Sequence, residues 1–347
     1  MQIRRVVASC LVLGLFAAAA DSLLAQRNND NKQPQPPKRT EAEQKDIDAL
    51  VKLVDAVAAG TQPAPSDISI TWEANHFVKG QADTYIPYSL TIDRSKMNGA
   101  PAAYYVRVVD KNAAAAPAAG KGDTKSAAPR YPWDGVTFME VPANGKVSRA
   151  MALKAGEYEA FIVVKDKGTN QRNAPAAKIG LLRKSLTVPD YTAAEKLTTS
   201  SVLLAANVEP VTATLSPAEQ EANPYVFGPM KITPSPDGKY TKSGELQVIF
   251  WIYGAKDAAA GKPDVTVEFN FHQRLPEGEK YFNKTQPQTL NAQTLPPEFS
   301  LAAGHQLPGS LIIPLASFPV GDYRLEMKVT DKASGQNLTE NVNFSVS

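Results

Sequence analysis

The sequence predicts an all-β protein: two tandem antiparallel sandwiches behind a short helix. Three observations predict it. From about residue 63 onward, short runs rich in Val, Ile, Tyr, Thr and Phe alternate with polar residues at a period of two, bounded by Pro, Gly, Asn and Asp. A pattern near the end of the first half recurs near the C-terminus. The chain has 347 residues, 43% of them hydrophobic and 21% charged, enough for two domains with cores of their own.

Residues 1–25 read as a secretory signal peptide. Arg4 and Arg5 form a basic start, Val6 to Ala20 an apolar run, and small residues lead to a cleavage site after Ala25. The apolar run is shorter than the ~20 residues that span a bilayer, which weighs against a retained anchor. The only Cys, Cys10, lies inside this leader, so the mature chain has no disulfide, thiol nucleophile or cysteine metal site. Residues 26–39 are polar and Pro-rich and read as a disordered tether.

A helix is expected over residues 40–60. Thr40 and Glu43 stand in capping-box register, and Gly60 is placed to stop it. Ile47, Leu50, Val51, Val54 and Val57 share one face, which is expected to pack on the first β domain; a docking or dimerisation face is the alternative. Residues 63–188 form the first sandwich, from runs at 67–73, 84–92, 103–110, 136–141, 145–153, 157–166 and 178–188, with a low-complexity mobile loop over 112–129. Residues 189–223 read as a linker, with a strand near Ser201–Ala205. The second sandwich is expected over 224–347. In it Val265, Val267, Phe269 and Phe271 oppose Thr266, Glu268, Asn270 and His272, a dry face against a wet one.

The recurring pattern is Gly156-Glu157-Tyr158 leading to Asp166-Lys167, and Gly321-Asp322-Tyr323 leading to Asp331-Lys332. A Gly-acid-Tyr entering a penultimate strand resembles the corner of immunoglobulin-like sandwiches, where a Tyr hydroxyl ties down the strand crossing. Tyr158 and Tyr323 are therefore assigned as structural corner tyrosines. These strands resemble bacterial immunoglobulin-like and fibronectin type III-like modules. The C-terminal stretch, Pro314–Leu325 with Val329-Thr330-Asp331-Lys332 and Asn343-Phe344-Ser345-Val346, is similar to uncharacterised secreted proteins of soil acidobacteria, some of which carry GWxTD or von Willebrand A-type regions. The resemblance implies a tandem immunoglobulin-like fold and an envelope or extracellular setting, and brings no catalytic residues. No Gly-Trp-x-Thr-Asp run is present, and Asp93-Arg94-Ser95-Lys96-Met97 departs from the adhesion metal motif at its last position.

The residue inventory excludes more than it suggests. Lys and Arg number 37 against 35 Asp and Glu, too balanced for a nucleic-acid binder that works by bulk charge. His76, His272 and His305 form no close-spaced zinc pair, and no Gly-x-Ser-x-Gly elbow occurs. Asp134-Gly135 and Asp237-Gly238 read as turns rather than calcium loops. The sequence assigns no catalytic residue, no cofactor and no metal ligand. The one binding lead is the Pro-rich loop Arg130-Tyr131-Pro132-Trp133-Asp134. There Tyr131 and Trp133 could anchor a partner or stack on a sugar, or Trp133 could simply plug the end of the sandwich. Trp72 and Trp251 read as core.

The expected protein is thus an exported, non-catalytic binding or structural module of the bacterial envelope or of secreted assemblies: periplasmic, cell-surface or extracellular. It recognises another protein through loops or a sheet edge; the alternative is a carbohydrate-binding accessory protein. The expected partner is an envelope or extracellular protein or a glycan, with no nucleic acid and no membrane span after leader removal.

Overall fold

The computed structural model describes residues 39–112, 131–167, 175–191, 196–212 and 215–347. The expected leader, almost all of the tether and nearly all of the expected mobile loop lie outside the described residues. The chain divides between Asp190 and Tyr191 into two compact units. Both are antiparallel β-sandwiches.

The first unit opens with helix α1 (Glu41–Ala58). Its first free N–H groups are met by the capping box: Thr40 Oγ1 accepts from Glu43 N (3.2 Å) and Glu43 Oε2 accepts from Thr40 N (3.0 Å). Gly60, at φ +72°, follows the end of the helix in a backbone region that costs glycine little. One sheet has β3 (Thr84–Ile92) at its centre. β6 (Lys146–Leu153) lies along one side; β1 (Ile70–Asn75) and β2 (Val78–Lys79) share the other as one interrupted strand. The second sheet runs β5-β4-β7-β8, with β4 (Pro101–Asp110), β5 (Trp133–Glu140), β7 (Gly156–Asp166) and β8 (Ile179–Val188). Three strands face four.

Alternate residues of β4 and β7 fill the space between the sheets: Tyr104, Val106 and Val108 with Ala160, Ile162 and Val164, against Ile86, Tyr88 and Leu90 of β3. The other set, Ala103, Tyr105, Phe161 and Val163, is buried by Leu50, Val54 and Val57 of α1. The helix therefore spends its apolar stripe inside its own unit, and β4 and β7 are dry on both faces. Asp46 pairs with Lys165, and Glu43 lies 3.8 Å from Lys167, so the helix is also held by charge along its flank.

The second unit repeats the plan. β14 (Glu245–Tyr253) is central to one sheet, with β18 (Leu307–Pro314) on one side. The interrupted pair β9 (Thr198–Thr199) and β10 (Leu203–Pro210) lies on the other. β12 (Met230–Pro234) extends β10, and β11 (Val226–Phe227) extends β12. The facing sheet centres on β15 (Val265–Leu275) and β19 (Gly321–Asp331). β16 (Gly278–Lys284) and β17 (Gln288–Leu290) pair with β15, and β20 (Asn337–Val346) with β19. β13 (Lys239–Tyr240) runs parallel to the end of β20. Its core holds Phe250, Phe269, Phe271, Phe318, Tyr323 and Phe344. Gly309 is required there: a Cβ would stand 2.2 Å from the Phe250 ring.

The expected linker over 189–223 is corrected. Residues 198–210 supply two strands paired to β14 and β12, and a six-residue helix, α2 (Pro217–Ala222), follows. The expected strand near Ser201–Ala205 falls on the short apolar run Val202–Ala206, but its pairing reaches β14 more than forty residues away, which local pattern does not reveal. Residues 226–234 form the tight hairpin β11-β12, with Gly228 at φ +56° in its turn. The long connection 285–309 begins with edge strand β17 and continues as turns.

The two Gly-acid-Tyr strands, β7 and β19, are each 11 residues long and end on a buried aspartate. Asp166 accepts from Asn98 N (2.7 Å) and Lys178 N (2.8 Å). Asp331 accepts from Lys256 N (3.0 Å), Ala333 N (3.1 Å) and Ser334 Oγ (2.5 Å). In each unit the carboxylate ties the loop that crosses between the sheets. The two tyrosines differ. Tyr323 Oη donates to Pro319 O (2.7 Å), the corner bond. Tyr158 lays its ring against Gly156, and its hydroxyl bonds to no described residue. Burial, with Asp110 and Asp83 nearby, raises its pKa above the usual phenol value.

Candidate functional site

In the first unit β4 carries one charge into its apolar run, Arg107, which is only 3% exposed. The strand's parity sends it to the α1 side of the sheet, where the helix and β5 both offer it carboxylates. Nη1 meets Asp55 Oδ1 at 2.6 Å and Nη2 meets Asp134 Oδ2 at 3.1 Å. Tyr105, two residues earlier on the same face, donates its hydroxyl to Asp134 Oδ1 (2.6 Å). The Arg107 Cζ lies over the Tyr131 ring, 4.1 Å from its centre, and the Tyr131 hydroxyl stands 3.5 Å from Asp55.

The electrostatics follow from the packing. Burial works to lower the Arg107 pKa, but Tyr105, Asp134 and Tyr131 outweigh it and hold it above its ordinary value. Burial, then the bond to Asp134, pushes the Tyr105 phenol far up. Arg107 Nε is buried with no hydrogen-bond partner. Val51, Arg107, Pro132, Gly135 and the three residues Tyr131, Trp133 and Asp134 line an open cleft of ≈ 630 Å³.

The structure thus brings both predicted loop residues, Tyr131 and Trp133, to one cleft, but gives them different surroundings. Tyr131 caps Arg107. Trp133 starts β5 and is half-buried against the sandwich core. Asp134, expected in a turn, is instead the second residue of β5 and a partner of Arg107. Arg107 itself was not singled out by sequence reasoning. The available signal was a lone Arg inside an apolar run, AAYYVRVV, flanked by aromatic residues.

The remaining residues of interest are structural. Trp72 stacks on Tyr88 (4.9 Å, 9°) and donates Nε1–H to Asn75 Oδ1 (3.1 Å). Trp251 is buried beside Phe227. Asp93 caps the short turn at Arg94–Lys96 by accepting from Ser95 N and Oγ, which holds its carboxyl below the usual range. His305 Nδ1 accepts from Ser300 N (3.1 Å) and closes its own loop. Among the described residues, no group of three or more His, Cys, Asp or Glu is placed to hold a metal ion. No described helix is long and apolar enough to cross a membrane.

The second unit presents a different surface. On the outer face of its β16-β15-β19-β20 sheet, Arg324 Nε meets Glu279 Oε2 (2.8 Å), and Nη1 meets Asn341 Oδ1 (2.5 Å) and Glu326 Oε2 (3.5 Å). Arg274 Nε reaches the other Glu279 oxygen at 3.0 Å. Glu279 is held below its usual pKa by these bonds, from Arg324 first. A bulge at Phe282 sets Tyr281 opposite His272, ring centres 5.9 Å apart and nearly perpendicular.

No family model matches the chain, and no curated protein matches it. Among solved structures, the chain is similar to a Salmonella alpha-2-macroglobulin at 11% identity, covering 82% of this chain and 17% of that one, with a TM-score of 0.23. It is also similar to the native conformation of E. coli alpha-2-macroglobulin at 10% identity, covering 82% and 16%, with the same TM-score of 0.23. The chain spans about a sixth of the length of those proteins, and a likeness at that level carries no argument about function.

Proposed function

We propose that this chain is an exported, non-catalytic binding module of the bacterial envelope or of secreted assemblies, and that it holds another protein through the cleft at Tyr131, Pro132 and Trp133. The observation that carries this reading is the Tyr131 ring seated on Arg107. Tyr, Trp and Arg are the residues that most often dominate protein interfaces, and here all three line one cleft. The base of the cleft is rigid. Arg107 is fixed by two carboxylates, and Asp55 belongs to a helix packed on the sheet. A preordered anchor loses little conformational entropy on binding. The guanidinium Nη atoms, the carboxylates and the tyrosine hydroxyls are engaged with one another rather than aimed at a reacting centre, which supports holding over chemistry.

The test is in-cell photocross-linking with the probe at position 132 of the tagged protein in its native host, read by mass spectrometry. One dominant envelope protein, lost in Tyr131→Ala, is the expected result. Failure to capture a protein, or capture unchanged by Tyr131→Ala, overturns the reading.

A further inference from the structure

We infer that the second unit carries a separate binding surface for a neutral pyranose polymer, on the outer face of its β16-β15-β19-β20 sheet, centred on Tyr281. This goes beyond the protein-binding reading of the first unit and shares no residue with it.

Tyr281 is 53% exposed, the one aromatic ring among the large exposed hydrophobic residues described. The strand bulge places it on the polar face, and His272 braces it edge-on. A ring held this way offers a flat apolar surface at small entropic cost, which is what the C–H face of a pyranose packs against. Beside it lie planar hydrogen-bonding groups in one layer. β15 and β19 set His272 opposite Arg324 and Asn270 opposite Glu326, and β20 sets Asn341 opposite Glu326. Guanidinium, carboxylate and amide groups supply donors and acceptors side by side, and each sugar hydroxyl is both.

Charge narrows the occupant. Arg274 and Arg324 hold Glu279 between them, and Arg324 and Lys328 hold Glu326. Glu268 stands opposite Lys328 on the same face, so these three cations are matched by three carboxylates and a polyanion such as nucleic acid gains little there. A protein partner fits poorly as well. Interface cores favour Tyr and Arg but are depleted in Lys, Glu and Asp, and here docking would strip water from a paired network of five charges with one apolar anchor to offset it. A hydroxyl-rich chain can leave that network wet and bridge to it through water. The surface is a sheet face rather than a pocket, which suits a polymer laid along it over a free monosaccharide.

The neighbouring edge is blunted. In β18, Pro308 and Pro314 have no N–H to donate, and Gln288 Nε2 donates to Ser310 O (2.8 Å). An added strand would find few free groups there.

The experiment is affinity electrophoresis of the full chain through native gels that contain a β-glucan, a mannan or dextran, with an acidic polysaccharide, pectate, in parallel. Retardation in at least one neutral gel is expected. Tyr281→Ala should weaken it about tenfold or more, the scale of losing one aromatic anchor. Tyr281→Phe, which keeps the ring, should stay within about threefold. Circular dichroism of each variant checks the fold. Migration unchanged in every neutral gel overturns the inference. So does retardation in pectate alone, or retardation that Tyr281→Ala leaves intact. The gels contain no protein partner, so the result is independent of the Tyr131 reading.

Discussion

Phe161 and Glu326 occupy the same place in the two units, five residues after the Gly of each Gly-acid-Tyr strand. Phe161 is 1% exposed beneath helix α1. Glu326 lies on the outer face of its sheet, bonded to Arg324, Lys328 and Asn270. Its pKa shows the balance: desolvation works to raise it, and Lys328 and Arg324 outweigh that and hold it below the usual value. One topology thus serves two surfaces. Where a helix covers the sheet, the outer parity of β4 and β7 is apolar at Ala103, Tyr105, Phe161 and Val163, and its charges at Arg107 and Lys165 are paired to the helix. Where none does, β15 and β19 alternate, and the free parity becomes a charged, hydrogen-bonding face. The first unit has used its outer face for stability, and its binding lead is displaced to a cleft at the margin. The second keeps the whole face available to a ligand.

Exchanging the two residues is the strongest way to break this comparison. Phe161→Glu should cost about 4 kcal/mol, because it empties an aromatic site and buries a charge whose one near cation, Arg183, is already paired to Glu159. Glu326→Phe should cost less than ~1 kcal/mol, because its face is already solvated. Urea unfolding of the full chain reads both, and similar losses would contradict the assigned difference between the faces.

The next effect is in pH. In each unit the first residue after the first half of the interrupted strand keeps a bond to the central strand: His76 after β1 and Ser200 after β9. His76 N donates to Pro87 O (3.0 Å), and Ser200 N donates to Trp251 O (2.8 Å). Burial lowers the His76 pKa from 6.5 to about 4. The folded state therefore refuses a proton that the unfolded chain accepts. Stability is fully present above pH ~6.5 and falls as pH drops toward about 4, by on the order of 3 kcal/mol. His76→Ser, which copies the second unit, should flatten that slope in unfolding midpoints measured from pH 7 to 4.5. A slope that persists unchanged would assign the acid sensitivity elsewhere.

The buried aspartates should behave alike, since the device is shared. Asp166→Asn and Asp331→Asn each leave backbone donors badly matched and should cost about 2 kcal/mol in thermal or urea unfolding. The smallest effect separates the tyrosines. Tyr323→Phe removes the bond to Pro319 and should cost about 1 kcal/mol, whereas Tyr158→Phe should cost close to nothing. Equal losses would mean that the Tyr158 hydroxyl has a partner in solution.

Much of the fold could be read from short windows of sequence. The alternation of 264–273 matches β15 with one face in the core, and the run 84–92 matches β3. The capping box at Thr40 and Glu43 starts the helix where expected. The apolar stretches Ala102–Val106 of β4 and Ala160–Val164 of β7 are the mark of strands covered on both sides, and the stripe on α1 supplies the cover. The site was less legible. Tyr131 and Trp133 stood out as aromatic residues in a loop, but Arg107, Asp55 and Asp134 come from three segments with nothing local to link them. Tyr281 owes its position to a bulge, and a bulge is invisible to a count of alternating residues.

By itself the sequence determined which residues form most of the strands, which helix carries an apolar stripe and where a strand motif repeats. Those are properties of neighbours a few residues apart, set by backbone geometry and side-chain parity. Only the tertiary structure decided that residues 198–210 join a sheet, that one outer face is covered and the other wet, that Arg107 sits between two carboxylates, and that one corner tyrosine makes its bond while the other does not. Each of these depends on register between segments far apart in the chain, where a shift of one residue turns every side chain to the opposite face.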